Sequence, residues 1–237
     1  MRRSITTTVV LAVTLIATGV AWAAFTQVAG VSLTAHRAGQ STGITSDLHS
    51  SDPTAPGQKP KAASKVVITF PTGTAFNLTT PLVARCTRSD AQLKNQFGRP
   101  CPAKSRIGTG TAIANAAPLV PTVSSRVTAF VGGARTIILV VKPTLPAFAA
   151  QIVVLRATVS GPRLTIPVPT VVLPTAPGSP GIRVVLVSLK LRVPALGTGH
   201  TALITAGRCT AHQFVVRSRF TYADHSTLTL SSASACR

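Results

Sequence analysis

The sequence predicts an all-β protein, an antiparallel β-sandwich of about ten strands with one short helix. From Lys65 onward, the apolar residues come in short β-branched runs rather than at helical spacing. The chain has 18 Pro and 17 Gly, many of them between these runs, which argues against long helices. No helical pattern of about 10 to 15 residues separates the runs, so a parallel sheet is not expected. The candidate strands cover residues 66–70, 106–114, 126–131, 136–141, 151–159, 163–168, 182–193, 201–206, 213–222 and 226–231.

The composition is compatible with a folded core and poor in acids. The 237 residues include 24 Lys plus Arg and only 4 acidic residues, giving a net charge of +20 and a pI near 11.9. An apolar share of 45% with 12% charged residues separates this chain from disordered polycations. All four acids are Asp, so chemistry that needs several carboxylates is hard to build.

The N-terminus has the pattern of a secretory signal peptide. Arg2 and Arg3 precede an apolar stretch over residues 9–20, and Ala21-Trp22-Ala23 supplies small residues before a cleavage site. We expect residues 1–23 to be removed after Ala23. Twin-arginine export stays open, although Ser4-Ile5-Thr6 lacks its usual supporting residues. An uncleaved membrane anchor also stays open, because residues 4–35 carry no charge and are long enough to span a bilayer.

Residues 24–64 are expected to form a disordered linker, and residues 65–237 a secreted β-sandwich domain. From residue 37 to 64 the sequence consists mainly of Ser, Thr, Gly, Pro and Ala, with few side chains to bury. On this interpretation Asp47, His49 and Asp52 have no fixed geometry, so none of them is expected to belong to a site.

The four cysteines are expected to form two disulfides. An even number of cysteines in an exported chain indicates a disulfide framework. Three connectivities are possible, and we favour Cys86 with Cys101 and Cys209 with Cys236, because each pair brackets a plausible hairpin or short excursion. Such bonds form in an oxidising compartment, in agreement with export.

Local motifs predict one helix and two turns. Ser89-Asp90-Ala91-Gln92 matches a capping box, with Gly98 and Pro100 as stop signals. In Val131-Gly132-Gly133-Ala134 we expect a tight hairpin turn that uses glycine at positive φ. Ser160-Gly161-Pro162 predicts a second turn.

No motif predicts catalysis, a metal or a cofactor. Asp90 and Asp224 fall in cap and turn contexts, in different cysteine-bracketed regions, and so do not predict a pair of glycosidase carboxylates. His200, His212 and His225 offer material for a triad with Asp224, yet no nucleophile elbow occurs. Cys209-Thr210-Ala211-His212 has zinc-like spacing without a second close pair. Gly108 and Gly110 lack the lysine and following helix of a phosphate loop, and indicate a bulge or close strand packing.

The positive charge is the remaining functional signal. Alternation places Lys190 and Arg192 on one face of their strand, and Arg217 and Arg219 on one face of theirs. If both strands lie in one sheet, these four cations would form a stripe. A second cluster consists of Arg85, Arg88, Lys94, Arg99, Lys104 and Arg106, against the single acid Asp90. The alternative is that amphipathic strands simply turn charge toward water.

Such clusters could attract anionic polymers at a cell surface, such as teichoic acid, anionic lipid headgroups or extracellular DNA. Neither cluster includes aromatic stacking platforms or a recognition helix, so sequence-specific nucleic-acid binding is not expected. Membrane contact is expected only through the N-terminal segment, if it is not cleaved.

The region from residue 65 to 237 resembles a group of exported actinobacterial proteins. The likeness lies in Phe76-Asn77-Leu78, in Cys86, in Cys101-Pro102-Ala103-Lys104-Ser105-Arg106-Ile107-Gly108-Thr109-Gly110-Thr111-Ala112, and in Val127-Thr128-Ala129-Phe130. Cys209, Phe214, Tyr222 and Cys236 are similar too. The resemblance implies a secreted, disulfide-bonded β-domain and carries over no catalytic or binding residue.

From these observations we expect a noncatalytic binding or surface module, secreted or held in the cell envelope, without cofactor or metal. A purely structural envelope protein and a secreted hydrolase are the alternatives.

Overall fold

The computed structural model describes residues 26–51, 59–95, 100–173 and 181–237. The predicted signal peptide lies outside these ranges. Within them the chain forms fourteen strands, one α-helix and three short 3-10 turns. The strands are β1 Thr26–Leu33, β2 Ile44–Ser51, β3 Ala63–Thr69, β4 Ala75–Phe76, β5 Arg106–Ala116, β6 Val120–Gly133, β7 Thr136–Pro143, β8 Val153–Ser160, β9 Arg163–Pro167, β10 Val171–Leu173, β11 Ile182–Val193, β12 Ile204–Thr205, β13 Gln213–Tyr222 and β14 Thr227–Ala235; the helix, α1, is Asp90–Lys94. No helix in the described ranges has both the length and the apolarity to cross a membrane.

Twelve of these strands form one antiparallel sheet, which confirms the predicted all-β fold. The strand order is β1-β2-β11-β5-β6-β7-β8-β9-β3-β13-β14, and β10 pairs with β11 beside this path. β4 and β12 form a separate two-stranded sheet. The two layers that enclose the core are therefore opposite walls of a single curved sheet.

The sheet curves until its two edge strands, β1 and β14, lie side by side. In the described residues no backbone ladder joins them. Ser232 makes the contact instead: its Oγ accepts a hydrogen bond from the Val31 amide at 3.1 Å and donates one to the Val31 carbonyl at 2.5 Å. We call this contact the seam.

The prediction that residues 24–64 form a disordered linker is wrong for the part that the structure describes. β1 and β2 pair with each other, and β2 also pairs with β11. Their inward positions alternate with outward ones, and Val31 and Leu33 are 0% and 4% exposed. Small Ser, Thr and Gly residues between these apolar positions make the composition look like a linker, yet a strand needs only every second side chain to be buried. Residues 52–58 lie outside the described ranges.

The two ends of the sheet differ. At one end, which we call the disulfide end, the β4–β12 sheet closes the interior with the buried side chains of Leu78, Leu203 and Ile204. Both predicted disulfides are present, and both lie at this end: Cys86–Cys101 and Cys209–Cys236. They are typical of proteins in an oxidising compartment. The opposite end, where β1 begins and where β5 and β7 end, we call the open end.

The first cysteine loop covers the outer face of β6, β7 and β8. The capping box is confirmed, since the Gln92 amide donates to Ser89 Oγ and the Ser89 amide donates to Gln92 Oε1. Arg156 on β8 holds the helix by donating from Nε to Asp90 Oδ1 at 2.7 Å. The apolar residues buried under this loop are Cys86, Leu93, Cys101, Ile138, Ile152 and Val154. Gly98 lies outside the described residues.

Of the two predicted turns, one has the expected backbone. Gly161 has φ +55° between β8 and β9. The β6–β7 hairpin also forms, but Gly132 and Gly133 do not adopt positive φ. Gly132 is needed for space instead, because a Cβ there would lie 2.7 Å from Ile138 Cγ1.

Tyr222, the only tyrosine, gives a titration test of the fold. Its ring is buried at the end of β13, and burial together with the nearby Asp224 carboxylate raises the pKa of Tyr222 to about 12. In the unfolded chain the Tyr222 hydroxyl ionises near pH 10, whereas in the folded state it keeps its proton to higher pH. The free energy of unfolding therefore falls as the pH rises from 10 to about 12. We expect the tyrosinate absorbance of the folded protein to rise with a midpoint near pH 12. The same protein in denaturant is the control, and coincident midpoints would contradict the burial of this ring.

Candidate functional site

Two glycines let β5 and β11 approach closely and so build the middle of the candidate site. A Cβ on Gly108 would lie 2.7 Å from the Arg192 carbonyl oxygen, and one on Gly110 would overlap the Lys190 carbonyl. The register also shifts between Arg106 and Gly108. The predicted bulge and close packing are therefore confirmed, and they bring the cations of β5 and β11 onto one surface.

Cations from four neighbouring strands share this outer surface, which we call the basic face. In the sheet register Lys190 on β11 lies opposite Thr111, Thr111 lies opposite Arg126, and Arg126 lies opposite Lys142. The row therefore crosses β11, β5, β6 and β7. Arg192 and Arg106 lie nearer the disulfide end. The basic face is defined by Arg106, Arg126, Lys142, Lys190 and Arg192, all of which are exposed.

One carboxylate reaches this face. Asp47 Oδ2 lies 3.2 Å from Lys190 Nζ at the β2 edge. The other acids of the described residues have partners elsewhere, Asp90 with Arg156 and Asp224 with Lys61. Within the described ranges, no carboxylate oxygen lies within 4.0 Å of the charged nitrogens of the remaining four cations. The basic face thus carries a positive field that the described acids do not neutralise.

Two shallow depressions lie on this surface and share Thr109 and Arg192. One, of about 490 Å³, runs from the seam across β1 and β2 to β5, and its lining includes Thr45, Thr111 and Lys190. The other, of about 470 Å³, lies between Arg106 and Arg192. Hydroxyl groups and cations therefore line a concave strip that is open to solvent.

The predicted stripe of Lys190, Arg192, Arg217 and Arg219 does not form. β11 and β13 belong to one sheet, as the prediction required, but β2, β1 and β14 lie between them. Arg217 and Arg219 instead share the outer face of β13, β3 and β9 with Lys65 and Arg163; the register pairs Arg217 with Thr69, and Thr69 with Arg163. These four cations form a second, separate basic surface.

The predicted cluster around the first cysteine loop is divided. Arg106 joins the basic face, whereas Arg85, Arg88, Lys94 and Lys104 belong to the loop that covers β6–β8 or to its flanks. Two of them use their backbone there, since the Arg88 carbonyl accepts from Arg156 Nη2 and the Lys104 carbonyl accepts from the Ala84 amide. Arg99 lies outside the described residues.

Sequence reasoning missed Arg126 and Lys142. Arg126 begins a predicted strand and Lys142 follows the end of the next one, but only the register shows that they lie opposite one another. A pairing rule that matches outward cations on consecutive hairpin strands would have found this pair.

The groups considered for catalysis or metal binding lie in turns and caps. Asp224 accepts from Lys61 Nζ at 2.7 Å and from Ser226, and these hydrogen bonds hold the pKa of its carboxyl well below the usual range. His212 and His225 are turn residues with φ +60° and +64°. Cys209 is consumed by its disulfide, so it is not available to bind zinc with His212. Among the described residues no three His, Cys, Asp or Glu side chains lie close enough to hold a metal ion.

In comparisons with protein families, with characterised proteins and with solved structures, the chain has no match. The resemblance to exported actinobacterial proteins stays a prediction.

Proposed function

We propose that this protein is a noncatalytic binding module of the cell envelope or extracellular space, whose basic face associates with anionic polymers. The observation that carries the proposal is the placement of five cations on four adjacent strands with one acid at the edge. Adjacent strands are about 4.8 Å apart, so a chain of phosphates lying across them would meet positive charge every one or two strands.

The module is proposed to be exported through its N-terminal signal. The two disulfides support an oxidising location, and the basic n-region, the apolar stretch and Ala21-Trp22-Ala23 support a signal peptide. Polymers such as teichoic acid are the anions that a protein in the bacterial envelope would meet. The shallow, hydroxyl-lined surface favours contact with a polymer backbone over enclosure of a small substrate.

The test compares two fourfold variants that remove the same charge. The first variant removes four of the five cations of the basic face: Arg106→Gln, Arg126→Gln, Lys142→Gln and Arg192→Gln. Lys65→Gln, Arg163→Gln, Arg217→Gln and Arg219→Gln remove four charges from the second surface. Both lower the formal charge from +20 to +16. Binding to a poly(glycerol phosphate) chain is measured by calorimetry.

We expect the first variant to lose most of the affinity and the second to keep it within a few fold. With about four phosphate contacts, counterion release predicts that wild-type affinity falls about 50- to 150-fold between 50 and 200 mM salt. Equal losses in both variants would mean that net charge alone attracts the polymer. Absence of wild-type binding at low salt would favour a purely structural protein.

A further inference from the structure

The interior of the sheet becomes less well filled toward the open end. On β7, the inward residues Ile137 and Leu139 are 7% and 3% exposed, whereas Val141 and Pro143, nearer the open end, are half-buried. β8 follows the same trend, since Leu155 is buried and Val153 is half-buried. Val141, Pro143 and Val153 therefore line space at this end, next to a small buried cluster formed by Ala116, Val123 and Leu173.

The largest part of this space is a cavity of about 110 Å³ between β5–β8 on one side and β10–β11 on the other. Of its lining residues only Ser125 and Gln151 are polar, and none is charged. The principal apolar residues of the lining are Ala114, Leu139, Val153, Leu155, Leu173 and Leu186. An apolar cavity of roughly 150 Å³ in a protein core stays dry and accepts a benzene-sized molecule. The lining therefore suits a hydrocarbon better than water.

Two smaller spaces adjoin this cavity. One of about 50 Å³ lies deeper in the core and shares Leu139 and Leu189 with it. The other, of about 60 Å³, shares Val168 and Pro169 with the main cavity, and its lining includes the cationic residues Lys61 and Arg183. The connection between β9 and β10 thus separates an apolar interior from a region that carries positive charge.

The rim of the open end is itself apolar and basic. Leu119, Leu145 and Val172, in the connections and the short strand around the opening, are 52%, 38% and 48% exposed. Lys59 lies beside Arg183, since its Nζ donates to the Arg183 carbonyl at 2.7 Å. Exposed apolar side chains next to an apolar cavity are a common feature of ligand sites.

We propose that this cavity binds the hydrocarbon chain of an anionic amphiphile, with the hydrocarbon inside the open end and the headgroup at the rim near Arg183 and the neighbouring Lys59. The apolar lining matches the chain, and the rim cations match the headgroup charge. The site lies inside the sheet and uses none of the cations of the basic face. Amphiphile binding and polymer binding can therefore be tested separately, and failure of one does not imply failure of the other.

The test titrates the full chain with hexyl, octyl and decyl sulfate, each below its micellar concentration. Each buried methylene contributes about 0.8 kcal/mol, so the affinity should rise roughly fourfold per methylene from hexyl to octyl sulfate. It should level off at decyl sulfate, because the cavity of about 110 Å³ and the adjoining spaces of about 50 and 60 Å³ are then full. The fourfold variant that removes cations from the basic face should bind these alkyl sulfates as the wild type does. Affinity that does not depend on chain length would overturn the proposal.

Two neighbouring serines provide matched variants. Ser125 faces the cavity and is buried, whereas Ser124 faces outward and is exposed. Ser125→Leu fills the cavity and should weaken decyl sulfate binding at least tenfold, while Ser124→Leu should leave it within twofold. Ala114→Leu is the second filling variant if Ser125→Leu does not fold. Unchanged binding in a folded filling variant would overturn the proposal.

A competition experiment with lipid vesicles tests whether the bound hydrocarbon comes from a bilayer lipid or from a free amphiphile. Displacement of decyl sulfate by phosphatidylglycerol vesicles supports the site with a bilayer lipid as donor. Retention of decyl sulfate in their presence supports the site with a free amphiphile as its ligand.

Discussion

Replacing Cys209 and Cys236 together by alanine is expected to lower the free energy of unfolding by about 3.5 kcal/mol, because the crosslink restricts the unfolded chain. The two cysteines are 27 residues apart, and the loop they close contains β13 and β14. β14 has a backbone ladder on one side, with β13, and meets β1 only at the seam in the described residues. We therefore expect hydrogen exchange to accelerate most in β14 and at the Val31 amide. Denaturant unfolding and exchange measure the two effects.

The control is the second disulfide. Removing Cys86 and Cys101, which are 15 residues apart, should cost about 3 kcal/mol and accelerate exchange in α1 rather than β14. If both double variants accelerate exchange at the same places, the assignment of each crosslink to one region is wrong.

Phe214→Ala is expected to cost about 3 to 5 kcal/mol, the range typical of a large buried aromatic residue cut back to alanine. Phe214 faces inward from β13, is 0% exposed and belongs to the main core cluster. Equilibrium unfolding in denaturant gives the change directly.

Val215→Ala is the matched control on the same strand. Val215 faces outward and is 39% exposed, so its truncation should cost less than about 1 kcal/mol. A similar loss for Phe214→Ala and Val215→Ala would contradict the assignment of the inward face of β13.

Short β-branched runs bounded by Pro and Gly predicted most of the sheet, because such runs are typical of strands. The runs around Val66, Ile138 and Phe214 show this pattern locally, and no knowledge of distant residues is needed to see it. β1 and β2 were missed because their buried positions include Gln27, Ala29 and Ser50, which look polar or small in the sequence. Ser50 and Gln27 satisfy each other by a 2.6 Å hydrogen bond inside the fold, and that pairing depends on the tertiary structure.

Only part of the candidate site could be predicted, because local patterns show which side chains face outward and not which strands are neighbours. The alternation of β11 identified Lys190 and Arg192 as outward cations, but the neighbours of a strand are set by the order of the sheet. β11 lies between β2 and β5, which are distant in the chain, so the grouping of Arg106 and Arg126 with Arg192 could not be predicted from local patterns. The interior cavity could not be predicted either, because it lies between strands that are distant from one another in the sequence.

The number of strands sets the relative direction of the two strands that meet at the seam. Eleven strands alternate in direction along the path from β1 to β14, and an odd number leaves the first and last pointing the same way. A regular antiparallel ladder between these two neighbours is therefore excluded by parity, whatever their side chains. A hydroxyl that both accepts from and donates to one residue of the opposite strand, as Ser232 does with Val31, is a solution that works for either direction.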